Sequence, residues 1–121
     1  MSVAPALRDW TRGEPGIVYQ ACPACRHAWY FQRTFCPRCG NEQPQARQAA
    51  GSGVVHAITV VMRAPSEEYR ALAPYAICLV DTDEGFRMMA HADRDLAIGQ
   101  RVRVRFVSVA GHLLPHFGKA D

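Results

Sequence analysis

Nothing in this chain of 121 residues approaches the run of about 20 apolar residues that a membrane-spanning helix requires. Its longest apolar stretches, VVHAITVVM at 54–62 and YAICLV at 75–80, stop far short of that length. The opening MSVAPALRDWTRGEPG has no basic start leading into an apolar core, so no secretory leader is expected and a reducing cytoplasm is the expected setting. Also missing are a glycine-rich phosphate loop, a nucleophile elbow, internal repeats and low-complexity tracts. The histidines, at 27, 56, 91, 112 and 116, lack the spacing of a second metal site or of a base beside a nucleophile, and the His91/Asp93 neighbourhood reads as a polar loop. The expectation is a chain that is not catalytic alone.

Charge is equally sparse. The formal net charge of +3 lies entirely before residue 51, where six arginines face Asp9, Glu14 and Glu42; residues 51–121 carry eight basic and eight acidic groups. Four thiolates on one Zn²⁺ bring about −2 to the first half and leave it at about +1. A strongly electropositive nucleic-acid footprint is therefore not supported, although a local arginine patch can still meet phosphate. With 49% apolar and 21% charged residues the composition is that of an ordinary soluble globular protein, long enough for a small clasp and one compact barrel.

What the chain does have is cysteine in a pattern. CPACRHAWYFQRTFCPRC, residues 22–39, holds four of the five cysteines as Cys22-x2-Cys25-x10-Cys36-x2-Cys39. Two tight turns of this kind on facing hairpin tips build a tetrahedral tetrathiolate site for zinc. Pro23 and Pro37 stiffen the turns, and Gly40 permits a positive φ after the second pair. A thioredoxin-like dithiol needs one pair opening a helix, and a disulfide framework needs an oxidising compartment. An iron–sulfur cluster uses the same four thiolates, but two paired knuckles favour zinc. With all four positions taken by sulfur, the metal is expected to be structural. His27 is an alternative ligand that four cysteines make unnecessary, and Cys78, amid Ala76, Ile77, Leu79 and Val80, reads as a small buried hydrophobe.

Along the chain, residues 3–12 suit a short helix after Pro5 with Leu7 and Trp10 on one face, and GEPG at 13–16 breaks it. IVYQ at 17–20 leads into the cysteines, and the polar stretch 41–53 reads as a linker. Strands are expected at 53–65, 75–81, 86–92, 101–109 and 112–117, with TDEG as a hairpin turn and 66–74 as a helical turn or mobile loop. In RVRVRFVSV, Val102, Val104 and Phe106 share one face and Arg101, Arg103 and Arg105 the other. The expected architecture is mainly β: a helical docking segment (1–16), a rubredoxin-like zinc ribbon with linker (17–50) and a five-stranded OB-fold barrel (51–121).

The ribbon, followed by GVVHAITVVMRAP, PYAICLVDTDEGFRM and IGQRVRVRF, resembles a bacterial and archaeal family with an N-terminal zinc ribbon and a C-terminal OB-fold. Tyr19, Phe31, Arg33, Cys36, Pro37, Cys39, Gly40, Thr59, Val60, Glu84 and Gly85 match its pattern; Arg26 replaces the first-knuckle glycine, and Gln32 stands where proline is expected. The resemblance implies a non-catalytic acyl-CoA-binding scaffold subunit for a thiolase-like, acyltransferase or hydratase partner. Trp29, Tyr30 and Phe31 then suit stacking on adenine, and Arg33, Arg38 and Arg63 suit its phosphates. The plainer role of Trp29 and Phe31 is to pack the ribbon against the barrel, which is the preferred reading for those two; for Arg33 the readings balance. The alternative function is single-stranded nucleic-acid binding by the barrel. Against it, the Arg101–Arg103–Arg105 row has no interleaved aromatics.

Overall fold

The computed structural model describes residues 7–63, 67 and 74–120. The chain enters through one 3₁₀ turn, Trp10–Arg12. That is shorter than the helix expected at 3–12, of which residues 3–6 lie outside the described residues. Both ends of the turn are closed at once: the Asp9 side chain accepts from Thr11 N–H at 3.1 Å, and Gly13 at φ 82° takes the C-cap. Trp10 packs against the core, while Leu7 stays exposed, so the two do not share a buried face.

Three short strands form the ribbon sheet: β1 (Val18–Ala21), β2 (Ala28–Trp29) and β3 (Gln45–Gln48), ordered β2-β1-β3 and antiparallel. Strand β3 lies within the stretch expected as linker. All four of its residues are exposed, so no apolar alternation announces it, and its pairing with β1 (Tyr19↔Arg47) supplies its order.

Five strands then close into a barrel: β4 (Ser52–Val61), β5 (Tyr75–Thr82), β6 (Arg87–Ala92), β7 (Arg101–Val109) and β8 (His112–Lys119). The order β4-β5-β6-β8-β7, with β6 and β8 parallel and β7 returning to β4, is the Greek-key closure expected of an OB-fold. Strand β4 ends before the expected residue 65, and 66–74 lies outside the described residues save Glu67 and Pro74. To serve both β5 and β7, β4 bends at a bulge between Val55 and Ala57. Near its start a Cβ on Gly53 would stand 2.4 Å from the Asp81 carbonyl oxygen, so only glycine fits there. The β7–β8 hairpin turns on Ala110 and Gly111, both at positive φ, the two-residue geometry that matches strand twist.

Alternation along β5 and β6 points Ala76, Cys78, Val80, Met88 and Ala90 inward, where they meet Val102 and Phe117. The same core continues into the ribbon through Ile17, Tyr19 and Ala21. Cys78 is 1% exposed, and burial pushes its thiol up to about 11, as expected for an inert core residue. Among the described residues, no helix is long and apolar enough to cross a membrane.

Candidate metal centre and ligand cleft

The two Cys-x-x-Cys segments fold into near-identical knuckles. In the first, Cys22 N–H donates to His27 O (2.8 Å) and Arg26 N–H to Cys22 O (3.0 Å); in the second, Cys36 N–H donates to Asn41 O (2.8 Å) and Gly40 N–H to Cys36 O (2.9 Å). Both turns need a residue at positive φ in the same place. Gly40 supplies it at 82°, and Arg26, standing where glycine is usual, is held at 65°.

These turns bring the four sulfurs within 4.8 Å of one another, with Cys22–Cys39 at 3.5 Å and Cys25–Cys36 at 3.6 Å. A tetrahedron with Zn–S near 2.3 Å has edges of about 3.8 Å, so the set fits zinc. Backbone N–H groups already serve the sulfurs: Cys25 N–H on Cys22 Sγ (3.4 Å), Arg38 N–H and Cys39 N–H on Cys36 Sγ (3.4 and 3.5 Å). The N–H of Cys25 lowers the Cys22 thiol against the effect of burial. Burial raises the Cys36 thiol, but the N–H groups of Cys39 and Arg38 outweigh it and bring it down to about 6. For Cys39 the N–H of Asn41 favours the thiolate, yet the neighbouring sulfurs and burial push it up to about 12. Four sulfurs this close cannot all ionise unless a cation stands among them. His27 stacks on Trp29 at 5.6 Å and is not part of the cluster.

The ten residues between the knuckles are organised by Gln20, a buried side chain on β1. Its Oε1 accepts from Trp29 Nε1–H (2.7 Å) and from Arg33 N–H (2.6 Å), while its Nε2 donates to Arg33 O (3.1 Å). Trp29 is thereby buried against Cys22 and Cys36, inside the ribbon and not between ribbon and barrel. Ribbon–barrel packing falls instead to Tyr19 and Tyr30, which stack on Phe86 from the barrel at 4.7 and 5.9 Å. Trp10 Nε1–H donates to the Tyr30 hydroxyl at 2.9 Å. Phe31 is 76% exposed, so packing does not account for it.

Between the ribbon loop and the β5–β6 turn lies a cleft of about 620 Å³. Trp29, Phe31 and Arg33 line it from the ribbon, and Phe86, Arg87 and Asp81 from the barrel. Arg38 and Arg63 are exposed and do not line it. Its barrel cation is Arg87, whose Nε donates to Asp81 Oδ1 at 2.7 Å with His56 beside them. The hydrogen bond from Arg87 holds the Asp81 carboxyl below the usual carboxylate range. The β5–β6 turn is fixed by Thr82, which exchanges hydrogen bonds with Phe86, and by Glu84, whose Oε2 accepts from Ala50 N–H at 2.8 Å.

Sequence spacing missed Gln20, Phe86 and Arg87 because the partners that place them, Arg33 for Gln20, Tyr19 and Tyr30 for Phe86 and His56 for Arg87, lie far from them in the chain. It also missed the pairing of His116 with Asp93 (2.8 Å), which parallel β6–β8 pairing creates by bringing His91 opposite His116. The arginine row is largely neutralised: Arg101 makes a two-armed pair with Asp83 (2.7 and 3.0 Å), and Arg105 pairs with Asp93 (3.0 Å).

Comparison with known proteins agrees with this architecture. The chain is 28% identical over 93 residues to a "DUF35 domain-containing scaffold protein" of Methanothermobacter thermautotrophicus, covering 73% of this chain and 69% of that one. Over 75 residues it is 31% identical to a "Probable enoyl-CoA hydratase alpha subunit" of Thermomonospora curvata, covering 62% of this chain but only 23% of that protein. Among solved structures it is similar to the "Ltp2-ChsH2(DUF35) aldolase", with a TM-score of 0.77, 26% identity, and coverage of 98% of this chain and 100% of that one. A DUF35-family protein of unknown function from Sulfolobus solfataricus shares the fold, with a TM-score of 0.60, 14% identity, and coverage of 92% and 79%. Residues 46–107, about half of the sequence, match the ChsH2 C-terminal OB-fold domain, and the chain belongs to that family.

Proposed function

We propose that this chain is a non-catalytic scaffold subunit that docks on an acyl-CoA-processing enzyme and holds the coenzyme A part of its substrate in the cleft between ribbon and barrel. The observation that carries the reading is the composition of that cleft. An exposed Phe31 offers a stacking face, and Arg33 lines the ribbon wall and Arg87 the barrel wall, two cations suited to phosphate. Cys22, Cys25, Cys36 and Cys39 hold Zn²⁺ in this reading; the metal orders the ribbon and, with four thiolates, leaves no position for a reacting water. A scaffold protein and a hydratase subunit among the relatives, and an aldolase assembly among the structures, support an enzyme partner of the hydratase, acyltransferase or thiolase-like kind.

Calorimetric titration of the purified protein with coenzyme A tests the cleft. Arg33→Ala and Arg87→Ala are each expected to weaken binding about tenfold with zinc content unchanged. Unchanged affinity in both variants would return the cleft to a packing role. Turnover of acyl-CoA by the pure chain would sink the scaffold reading. Paired arginines on β7 give no support to the nucleic-acid alternative, which salt-sensitive oligonucleotide binding would revive.

A further inference from the structure

Parallel strands β6 and β8 pair over two positions only, His91↔His116 and Ala92↔Phe117. The β5–β6 and β7–β8 hairpins therefore splay apart and leave a wedge-shaped cavity of about 330 Å³. It lies apart from the ribbon cleft and shares no lining residue with it. Val107, Val109 and Leu114, neighbours across β7 and β8, make one end apolar, and Tyr75 also lines the cavity. The residues that supply this face on β7 continue the outward row of Arg101, Arg103 and Arg105, which turns from charged to aliphatic as it reaches the wedge.

The other end is polar and carries surplus positive charge. Asp93 Oδ1 is already engaged by Arg105 (3.0 Å) and His116 (2.8 Å), stacked over Gly118, where any Cβ would press on Arg105 and Asp93. That leaves Arg94, which lines the cavity and has no acidic partner among the described residues. Among the described lining residues, two guanidinium groups, Arg94 and Arg105, stand against one carboxylate, Asp93. A single uncompensated guanidinium beside an aliphatic wall matches a monoanion with a hydrocarbon tail. A bare phosphate makes no use of the wall.

We propose that this cavity is a second binding site, for a small aliphatic carboxylate whose carboxyl group meets Arg94 at the Arg105–His116 edge and whose tail lies among Tyr75, Val107, Val109 and Leu114. The site does not depend on the coenzyme A cleft, and either can fail without the other. Two properties of His91 make it a reporter. It faces Tyr75 at 5.0 Å, and burial followed by the nearby His116 keeps its imidazole below the ordinary histidine range. An anion bound here raises it.

Imidazole NMR signals of the full chain, titrated with butyrate, test the proposal, with inorganic phosphate and butanol as separate arms. Saturable shifts at His91 and His116 with butyrate, an upward move of the His91 titration, and about tenfold weaker binding in Arg94→Gln are expected. Arg94 is exposed, so its replacement leaves the fold intact. Equal response to phosphate reduces the site to a general anion patch, and equal response to butanol reduces it to an apolar crevice; either overturns the proposal, as does unaltered butyrate binding in Arg94→Gln.

Discussion

Tyr19 of the ribbon lies flat on Phe86 of the barrel, ring centroids 4.7 Å apart and planes 17° from parallel, and this stack makes the two sheets one hydrophobic core. Tyr30, nearly parallel to Phe86 at 9°, stacks on it as well at 5.9 Å. Phe86→Ala removes the ring on which both tyrosines stack from a site only 3% exposed. A loss of about 3–5 kcal/mol is expected, read as a lower denaturant midpoint with zinc still bound. A loss below about 1 kcal/mol would mean that ribbon and barrel hold together by other means.

Arg26 and Gly40 do the same backbone task in the two knuckles, but only one of them does it without strain. Arg26→Gly is expected to stabilise the protein by about 1 kcal/mol, and Gly40→Ala to destabilise it by a similar amount. A Cβ on Gly40 has nothing within 4 Å, so the second change isolates the φ preference from any clash. Thermal denaturation of both variants side by side measures the pair.

Gln20→Leu keeps the volume of the side chain and deletes three hydrogen bonds to Trp29 and Arg33. The Trp29 N–H and the Arg33 backbone are left without partners near a buried position, at an expected loss of about 2–4 kcal/mol. The ribbon loop also loses its shape, so coenzyme A binding is expected to weaken together with stability, and Trp29 emission to shift to the red. Native-like emission in this variant would show that the knuckles alone position the loop.

Elemental analysis is expected to give one zinc per chain. Cys36→Ser, or a strong chelator, then unfolds the ribbon. Because Tyr19 and Ile17 belong to the shared core, the barrel's melting temperature is expected to fall as well. A melting curve indifferent to chelation would count against a structural metal.

Among the described residues, acid acts through Asp81, Asp83 and Asp93. Asp81 is lowered by its hydrogen bond from Arg87 and Asp83 by that from Arg101; for Asp93, burial works upward but His116 and Arg105 prevail. Each folded-state pKa is depressed, so each contribution is full above the unfolded carboxylate value near pH 4 and is lost as pH falls through the folded value. Denaturant midpoints are expected to hold from pH 7 to about 5 and to fall steeply below about 4. Asp93→Asn is expected to make that fall shallower.

Local pattern made much of this legible. The apolar run YAICLV, strict alternation in RVRVRF, glycine at the TDEG turn and two Cys-x-x-Cys pairs each report physics confined to a few neighbouring residues. Strand β3 stayed hidden because an all-exposed edge strand has no apolar period to read. Of the arginines expected to meet phosphate, Arg33 lines the cleft and Arg38 and Arg63 do not, whereas Arg87, which no local pattern singles out, does.

Local sequence, then, settled the barrel strands and the clustering of four cysteines where a metal can sit, since spacing along a chain dictates turn and strand geometry. Tertiary structure alone decided which side chains meet. Parallel pairing set His91 beside His116, closure of the barrel carried Phe86 onto Tyr19 and Tyr30, and Gln20 reached Arg33 across the ribbon. Those encounters depend on strand order and register, which follow from burying one shared core and not from any local run of residues.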